Sequence, residues 1–169
     1  TPHAVARIMA KILVNEPVQN ATVYDPSAGS GTLLMTIAHT IGENNCTIYS
    51  EDISQKSSNM LRLNLVLNNL SHSIPNVIKA NTLKDSYYLN ERFDYIVSNP
   101  PFKLDFSDFR ADLDKDSNQK RFFAGIPKVP ANKKESMAIY LLFIQHIMYS
   151  LSETGKAAIV VPTGFLTAQ

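Results

Sequence analysis

The chain has 169 residues, of which 44% are hydrophobic and 18% are charged, and its formal net charge is +1. This composition is ordinary for one globular domain and argues against a disordered or fibrous protein. Because the net charge is close to zero, any attraction to nucleic acid must come from a local patch or from another chain. A single cysteine, Cys46, cannot form an internal disulfide, which suits a reducing cytoplasm. No apolar run in the sequence has membrane-spanning length, and no metal site is suggested.

The spacing of apolar residues predicts that helices and strands alternate along the chain. Helices are expected over residues 1–14, 32–40, 55–70 and 136–151. Strands are expected over residues 21–25, 46–49, 76–79, 93–98 and 157–161. We expect Thr1 to be the N-cap of the first helix, Pro2 to be its first helical residue, and Gly155 to mark the end of the last helix. The alternation predicts an α/β fold with a Rossmann-like, doubly wound and mostly parallel sheet.

Polar or unusual residues follow four of the predicted strands. These groups are Asp25 to Gly31, Glu51-Asp52, Asn81-Thr82 and Ser98 to Phe102. Ligands of doubly wound sheets bind beyond the carboxyl ends of the strands. We therefore expect the four groups to face one crevice.

The loop over residues 25–31 indicates what the crevice binds. Gly29 and Gly31 permit a sharp turn and a close approach to a ligand, and a carboxylate about 20 residues later suits ribose hydroxyls. The third glycine of a dinucleotide-binding loop is missing, because Gly31 is followed by Thr32. Asp25 would repel a pyrophosphate but attract an ammonium or sulfonium group. The pattern favours a cationic nucleoside over NAD, although the loop taken alone could equally be a tight turn.

A stiff hook, Asn99-Pro100-Pro101-Phe102, follows the strand predicted over residues 93–98. The two prolines restrict the backbone of Asn99 and of each other, and the hook ends in an aromatic ring. Asn-Pro alone is a common turn signal, so a plain strand exit is the alternative.

The loop and the hook together resemble the motif pair of S-adenosylmethionine-dependent methyltransferases that act on adenine in DNA. Residues 1–2, 49–54, 121–127 and 155–166 further resemble the modification (M) subunit of type I restriction-modification systems. The resemblance covers nearly the whole chain in the family's order. It implies a methyltransferase catalytic core over residues 1–169, cut from a longer chain that begins before Thr1, with a polar insertion at about 103–134. It also implies a cytoplasmic enzyme that acts on a flipped adenine of double-stranded DNA, beside a specificity subunit and a restriction subunit.

The resemblance assigns the cofactor, S-adenosyl-L-methionine, to the residues of the crevice. Thr1, Pro2 and the amides after them would hold its carboxylate. The methionine moiety would be wrapped by Asp25, Ser27, Gly29, Ser30 and Gly31. Asp52-Ile53 matches the family's ribose-binding acid and the isoleucine that follows it, and Glu51 is the second choice. Adjacent strand residues point to opposite faces, so only one of the two acids is expected to reach the ribose. Asn81, next to Thr82, falls where the family often has an aspartate that accepts a hydrogen bond from the cofactor adenine.

The hook would hold the target base. The Asn99 side-chain oxygen and the Pro100 carbonyl would accept both N–H groups of the target amino group, with Pro101 completing the stiff turn. Phe102 would stack on a base that has left the duplex. The same fold also methylates protein glutamine or RNA bases with Asn-Pro-Pro hooks, and a nucleoside-binding module without activity is a further alternative.

The insertion mixes acidic residues with lysines and Arg121. Such segments are typical of solvated mobile loops. The alternative is a flap that faces DNA, whose basic second half contacts phosphate. The basic residues of the insertion are Lys115, Lys120, Arg121, Lys128, Lys133 and Lys134. The four histidines are scattered, and each is expected to serve packing, capping or the surface.

Overall fold

Five parallel strands form the centre of the structure, a computed structural model that describes residues 1–167. The strands are β1 (Ala21–Asp25), β2 (Cys46–Asp52), β3 (Val77–Lys79), β4 (Phe93–Ser98) and β5 (Leu151–Ile159). Their spatial order is β3-β2-β1-β4-β5. The α-helices of the described residues are α1 (His3–Leu13), α2 (Thr32–Ile41), α3 (Gln55–Leu67), α4 (Thr82–Asp85), α5 (Arg110–Leu113) and α6 (Tyr140–Ser150). The predicted α/β, doubly wound parallel sheet is confirmed.

Each face of the sheet has its own core, because side chains alternate along the buried strands β1 and β4. Val23 and Val97 pack with residues of α1, α2 and α3 on one face. Tyr24 and Ile96 pack with Ile147 of α6 on the other face. With both faces covered, the carboxyl ends of the strands are where a ligand can approach the sheet.

The N-terminal residues differ from the expectation. Helix α1 begins at His3, and its N-cap is Pro2, which makes no side-chain capping hydrogen bond. The prediction that Thr1 is the N-cap and Pro2 the first helical residue is therefore wrong. Thr1 lies in front of the helix, where its Oγ1 accepts a hydrogen bond from Asn99 Nδ2 at 3.1 Å.

The last helix and strand also differ from the expectation. Helix α6 begins at Tyr140, and the chain enters β5 at Leu151. Gly155 lies inside β5 and not at the end of the helix, so that prediction is wrong. A Cβ atom at Gly155 would lie 2.6 Å from the carbonyl oxygen of Phe93. The pairing of β4 with β5 is irregular between Phe93 and Tyr95, so the glycine serves a close backbone approach.

The insertion over residues 103–134 contributes buried side chains to an apolar cluster that it shares with α4 and α6. Phe106, Leu113 and Phe122 are buried and pack with Leu83 and Leu142 outside the insertion. The expectation of a solvated loop is therefore wrong for these side chains, whereas the lysines of the insertion are exposed.

Within residues 1–167, the helices all lack the combination of length and apolar character that a membrane crossing needs.

Candidate active site

The strand order reverses between β1 and β4, and two small cavities lie at the carboxyl ends of these strands. The polar cavity, of about 160 Å³, is lined among others by Thr1, Asp25, Ser27, Gly29, Ser30 and Asn99. The apolar cavity, of about 170 Å³, is lined among others by Ser27, Asp52, Ile53, Asn81, Thr82 and Pro101. Ser27 lines both cavities, so they adjoin. The predicted site residues outside both linings are Pro2, Gly31, Glu51, Pro100 and Phe102.

A buried carboxyl group lies at the base of the polar cavity. Asp25 ends β1 and is 1% exposed. Its Oδ1 accepts a hydrogen bond from the backbone N–H of Ser27 at 2.9 Å. Burial raises the pKa of Asp25 to about 7, the Ser27 N–H opposes the shift, and the negative charge of Asp52 adds to it. A cation in the polar cavity would favour the ionised form of Asp25.

The two glycines of the loop have different structural tasks. Gly29 has φ +56°, and its N–H donates to Asp52 Oδ2 at 2.8 Å, which fixes the loop to the end of β2. Gly31 has φ +89° and is the N-cap of α2. A Cβ atom at Gly31 would lie 2.2 Å from Cδ1 of Leu61. Gly29 thus shapes the cavity wall, while Gly31 allows α2 to pack on α3.

The two acids at the end of β2 point to opposite sides of the sheet. Asp52 accepts hydrogen bonds from the N–H groups of Gly29 and Ser54, and it lines the apolar cavity. Glu51 is fully buried and accepts hydrogen bonds from the Tyr24 hydroxyl at 2.6 Å and from Ser86. The ribose role stays a prediction, but Asp52 is the acid that faces the crevice.

The far wall of the apolar cavity is formed by Asn81 and Thr82. Asn81 Oδ1 accepts a hydrogen bond from the N–H of Lys84 at 3.2 Å and thereby caps α4. Its amide NH2 group is not part of this cap. Thr82 Oγ1 donates to the carbonyl oxygen of Pro26 at 2.6 Å, which joins this wall to the loop after β1.

The hook leaves β4 at the edge of the crevice. Asn99 is half-buried and lines the polar cavity, while Pro100 is buried. Pro101 is exposed and lines the apolar cavity. The half-buried ring of Phe102 meets the ring of Tyr140 edge-on, with 6.3 Å between the centroids. The hook therefore borders both cavities and ends beside an aromatic partner.

A buried polar network under the crevice was not foreseen from the sequence. Arg121 is 2% exposed and donates to the carbonyl oxygens of Thr82 and Leu83 and, at 3.0 Å, to Nδ1 of His146. Since Nδ1 accepts, the ring proton lies on Nε2, which is 3.0 Å from the Tyr24 hydroxyl oxygen. That hydroxyl donates to Glu51.

This network corrects the prediction for Arg121, whose guanidinium has no exposed face for a DNA phosphate. Burial lowers the pKa of Arg121 to about 10. Burial, assisted by the positive charge of Arg121, also holds the pKa of His146 well below its usual value. His146 is therefore a neutral packing residue.

The parallel sheet and the crevice at its reversal define the fold of class I S-adenosylmethionine-dependent methyltransferases. A methyltransferase subunit of a type I restriction-modification system from Streptococcus thermophilus has a similar structure, with a TM-score of 0.74 and 27% identity. The similarity covers 97% of this chain and 34% of that chain.

The chain belongs to the N-6 DNA Methylase family, whose model matches residues 1–169. It is 29% identical to the type I restriction enzyme MpnII methylase subunit of Mycoplasma pneumoniae, over 98% of this chain and 31% of that protein. It is 30% identical to a release factor glutamine methyltransferase of Flavobacterium psychrophilum, over 60% of this chain and 34% of that protein. The chain thus spans about a third of the length of the MpnII methylase subunit, and the aligned part of the chain covers about a third of the release factor methyltransferase.

Proposed function

We propose that the protein transfers a methyl group from S-adenosyl-L-methionine to the N6 amino group of adenine in DNA, as the modification subunit of a type I restriction-modification system. The observation that carries this proposal is the position of Asn99, which borders a cavity containing a buried carboxyl group at the reversal of the sheet. Family membership supports the choice of adenine in DNA.

The two cavities fit the two parts of the cofactor. In the polar cavity, Asp25 offers a negative charge to the cationic methionine moiety, and Thr1 and the loop offer hydroxyl groups and N–H groups. In the apolar cavity, Asp52 would bind the ribose, and the exposed side chain of Ile53 would cover the adenine. The NH2 group of Asn81 would donate to a ring nitrogen of that adenine, because its oxygen already caps α4.

The orientation of the Asn99 amide suits the activation of an amino group. Its Nδ2 donates to Thr1, which leaves its Oδ1 to accept a hydrogen bond from the target. With a second acceptor at the Pro100 carbonyl, both N–H groups of the target would be held, and the nitrogen lone pair would leave conjugation with the ring. Bound S-adenosyl-L-methionine supplies the electrophilic methyl group on its sulfonium sulfur. Positioning would then provide most of the rate, and the nitrogen would release its proton to solvent after transfer.

Recognition of DNA would require a flipped adenine, since the target nitrogen is inaccessible inside a duplex. Phe102 would stack on that base at the end of the hook. We propose that the partners of the protein are a specificity subunit and a restriction subunit, and that it acts in the cytoplasm.

The test uses the full-length protein with its partner subunits, unmethylated DNA and labelled S-adenosyl-L-methionine. We expect N6-methyladenine in the recovered DNA. Label that enters protein or RNA but not DNA would refute the proposal.

A protein glutamine is the second candidate target. It is favoured by the similarity to a release factor glutamine methyltransferase, which covers 60% of this chain. The same labelling experiment, with release factor added, separates the two targets.

A further inference from the structure

A side-chain hydrogen bond joins the cofactor loop, residues 25–31, to β4, the strand that carries the hook. The hydroxyl groups of Ser27 and Ser98 lie 2.8 Å apart. Ser27 lines both cavities, and Ser98 is the last residue of β4, directly before Asn99. The contact therefore crosses the point where the strand order reverses.

Ser98 is held from both sides. It is 0% exposed, and its carbonyl oxygen accepts a hydrogen bond from the N–H of Val160 at 3.0 Å, just beyond β5. Its hydroxyl is bound to Ser27, whose own N–H donates to Asp25. The residue that precedes Asn99 is thus fixed to β5 through its backbone and to the cofactor loop through its side chain.

We propose that Ser98 is a positioning residue for methyl transfer, whose hydroxyl sets the distance between Asn99 and the cofactor through Ser27. Downstream, the two prolines restrict the hook, so its placement depends on the residue at its upstream end. Methyl transfer requires an in-line approach of the two reacting atoms, and small displacements of such atoms reduce the rate strongly. The role of Ser98 rests on the proposed function, because it concerns the transfer step of that reaction.

The location of Ser98 determines which step of the reaction its loss should affect. Ser98 lines neither cavity, so its loss should remove no direct contact with the cofactor. Its hydroxyl also acts to lower the pKa of Asp25, so rate and affinity are both measured at a pH well above 7, which favours ionised Asp25 in both proteins. Replacing it with alanine removes one hydroxyl from a buried position without adding volume. The expected effect is therefore on the transfer rate at saturating cofactor and not on cofactor affinity.

The experiment measures the single-turnover rate of N6-methyladenine formation by the full-length, assembled protein, with cofactor affinity measured by calorimetry. For Ser98→Ala we expect the rate to fall about tenfold and the dissociation constant of S-adenosyl-L-methionine to stay within about twofold. In the Ser27→Ala background, Ser98→Ala should cause no further loss of rate, because the shared hydrogen bond is already absent.

Ser50→Ala is the matched control. Ser50 is 1% exposed, pairs with Asp25 in the neighbouring strand, and its hydroxyl has no hydrogen-bond partner in residues 1–167. We expect wild-type rate and affinity for this variant.

The inference is overturned by a wild-type rate for Ser98→Ala, by equal losses of rate and affinity, or by additive losses in the double variant. If the wild-type protein itself forms no N6-methyladenine, the proposed function fails, and the role of Ser98 fails with it.

Discussion

The crevice and the insertion over residues 103–134 both carry charged groups, but they hold these groups in different ways. In the crevice, the carboxylates of Asp25 and Asp52 accept hydrogen bonds from the N–H groups of nearby loop residues. In the insertion, most charges lie at the surface, and an exposed pair such as Lys115 with Asp112 contributes little to stability. Arg121 is the exception, because it is turned inward beneath the crevice wall.

The difference shows how the insertion supports the site. Helix α4 has four residues, too few for its own hydrogen bonds to satisfy its last carbonyl groups. Arg121 supplies donors to Thr82 and Leu83, and Thr82 in turn binds the loop after β1. The crevice therefore carries the polar groups that are proposed to bind cofactor and substrate, while Arg121 of the insertion stabilises one wall of the crevice.

The largest effect is expected from Asn99→Ala, which removes an acceptor from the crevice. Methyl transfer should fall by about 10³-fold or more, while the affinity for S-adenosyl-L-methionine changes by less than about threefold. Single-turnover methylation and calorimetry measure the two quantities. The control is Asn59→Ala, at an exposed position of α3. A large loss of cofactor affinity would contradict the role of Asn99.

Asp25→Asn tests how the buried carboxyl group changes the free energy of unfolding with pH. Since the pKa of Asp25 is raised from 3.8 to about 7, its contribution to stability is fully present below pH 3.8 and is lost as pH rises through 7. Asparagine does not titrate. Without cofactor, the free energy of unfolding of the wild type relative to this variant should fall by roughly 3 kcal/mol between pH 5 and pH 8. Denaturant titrations measure the free energy of unfolding of both proteins as a function of pH. If the two curves run parallel, the carboxyl group is not buried as described.

Arg121→Met tests the brace in the insertion. The substitution leaves the carbonyl oxygens of Thr82 and Leu83 and Nδ1 of His146 without their donor. We expect a loss of about 3 kcal/mol in the free energy of unfolding, measured by denaturant titration. Lys120→Met, at the exposed neighbouring position, should cost less than about 0.5 kcal/mol. Equal effects of the two substitutions would remove the distinction between the inward and the surface charges.

The smallest effects are expected from substitutions of the two acids at the end of β2. These substitutions test which of the two acids binds the ribose. Asp52→Ala should weaken S-adenosyl-L-methionine binding by about 10- to 100-fold, because a charged hydrogen bond to the ribose is lost. Glu51→Gln should change thermal stability more than affinity, since Glu51 is bound to Tyr24 and Ser86 inside the protein. Calorimetry and thermal unfolding of both variants decide the assignment. The opposite pattern would identify Glu51 as the ribose-binding acid.

Much of the fold and the arrangement of the crevice could be predicted from local patterns. β1 and β4 have the predicted bounds, since short apolar runs between turn signals depend on adjacent residues. The meeting of the four strand-end groups follows from a parallel sheet, and the structure places members of each group around the two cavities. The helical ends were less predictable, as Thr1 and Gly155 show, because contacts with Asn99 and Phe93 decide their conformation.

The sequence by itself determined the alternating fold, the loop with two glycines and the stiff hook, because each depends on residues within a few positions of one another. Only the tertiary structure decided that Arg121 is buried and that Ser98 meets Ser27. Arg121 binds a carbonyl 39 residues away, and Ser98 binds a hydroxyl 71 residues away. Charge, periodicity and turn signals report the preferences of one segment. Whether a polar side chain faces water or another segment is set by the packing of distant parts of the chain.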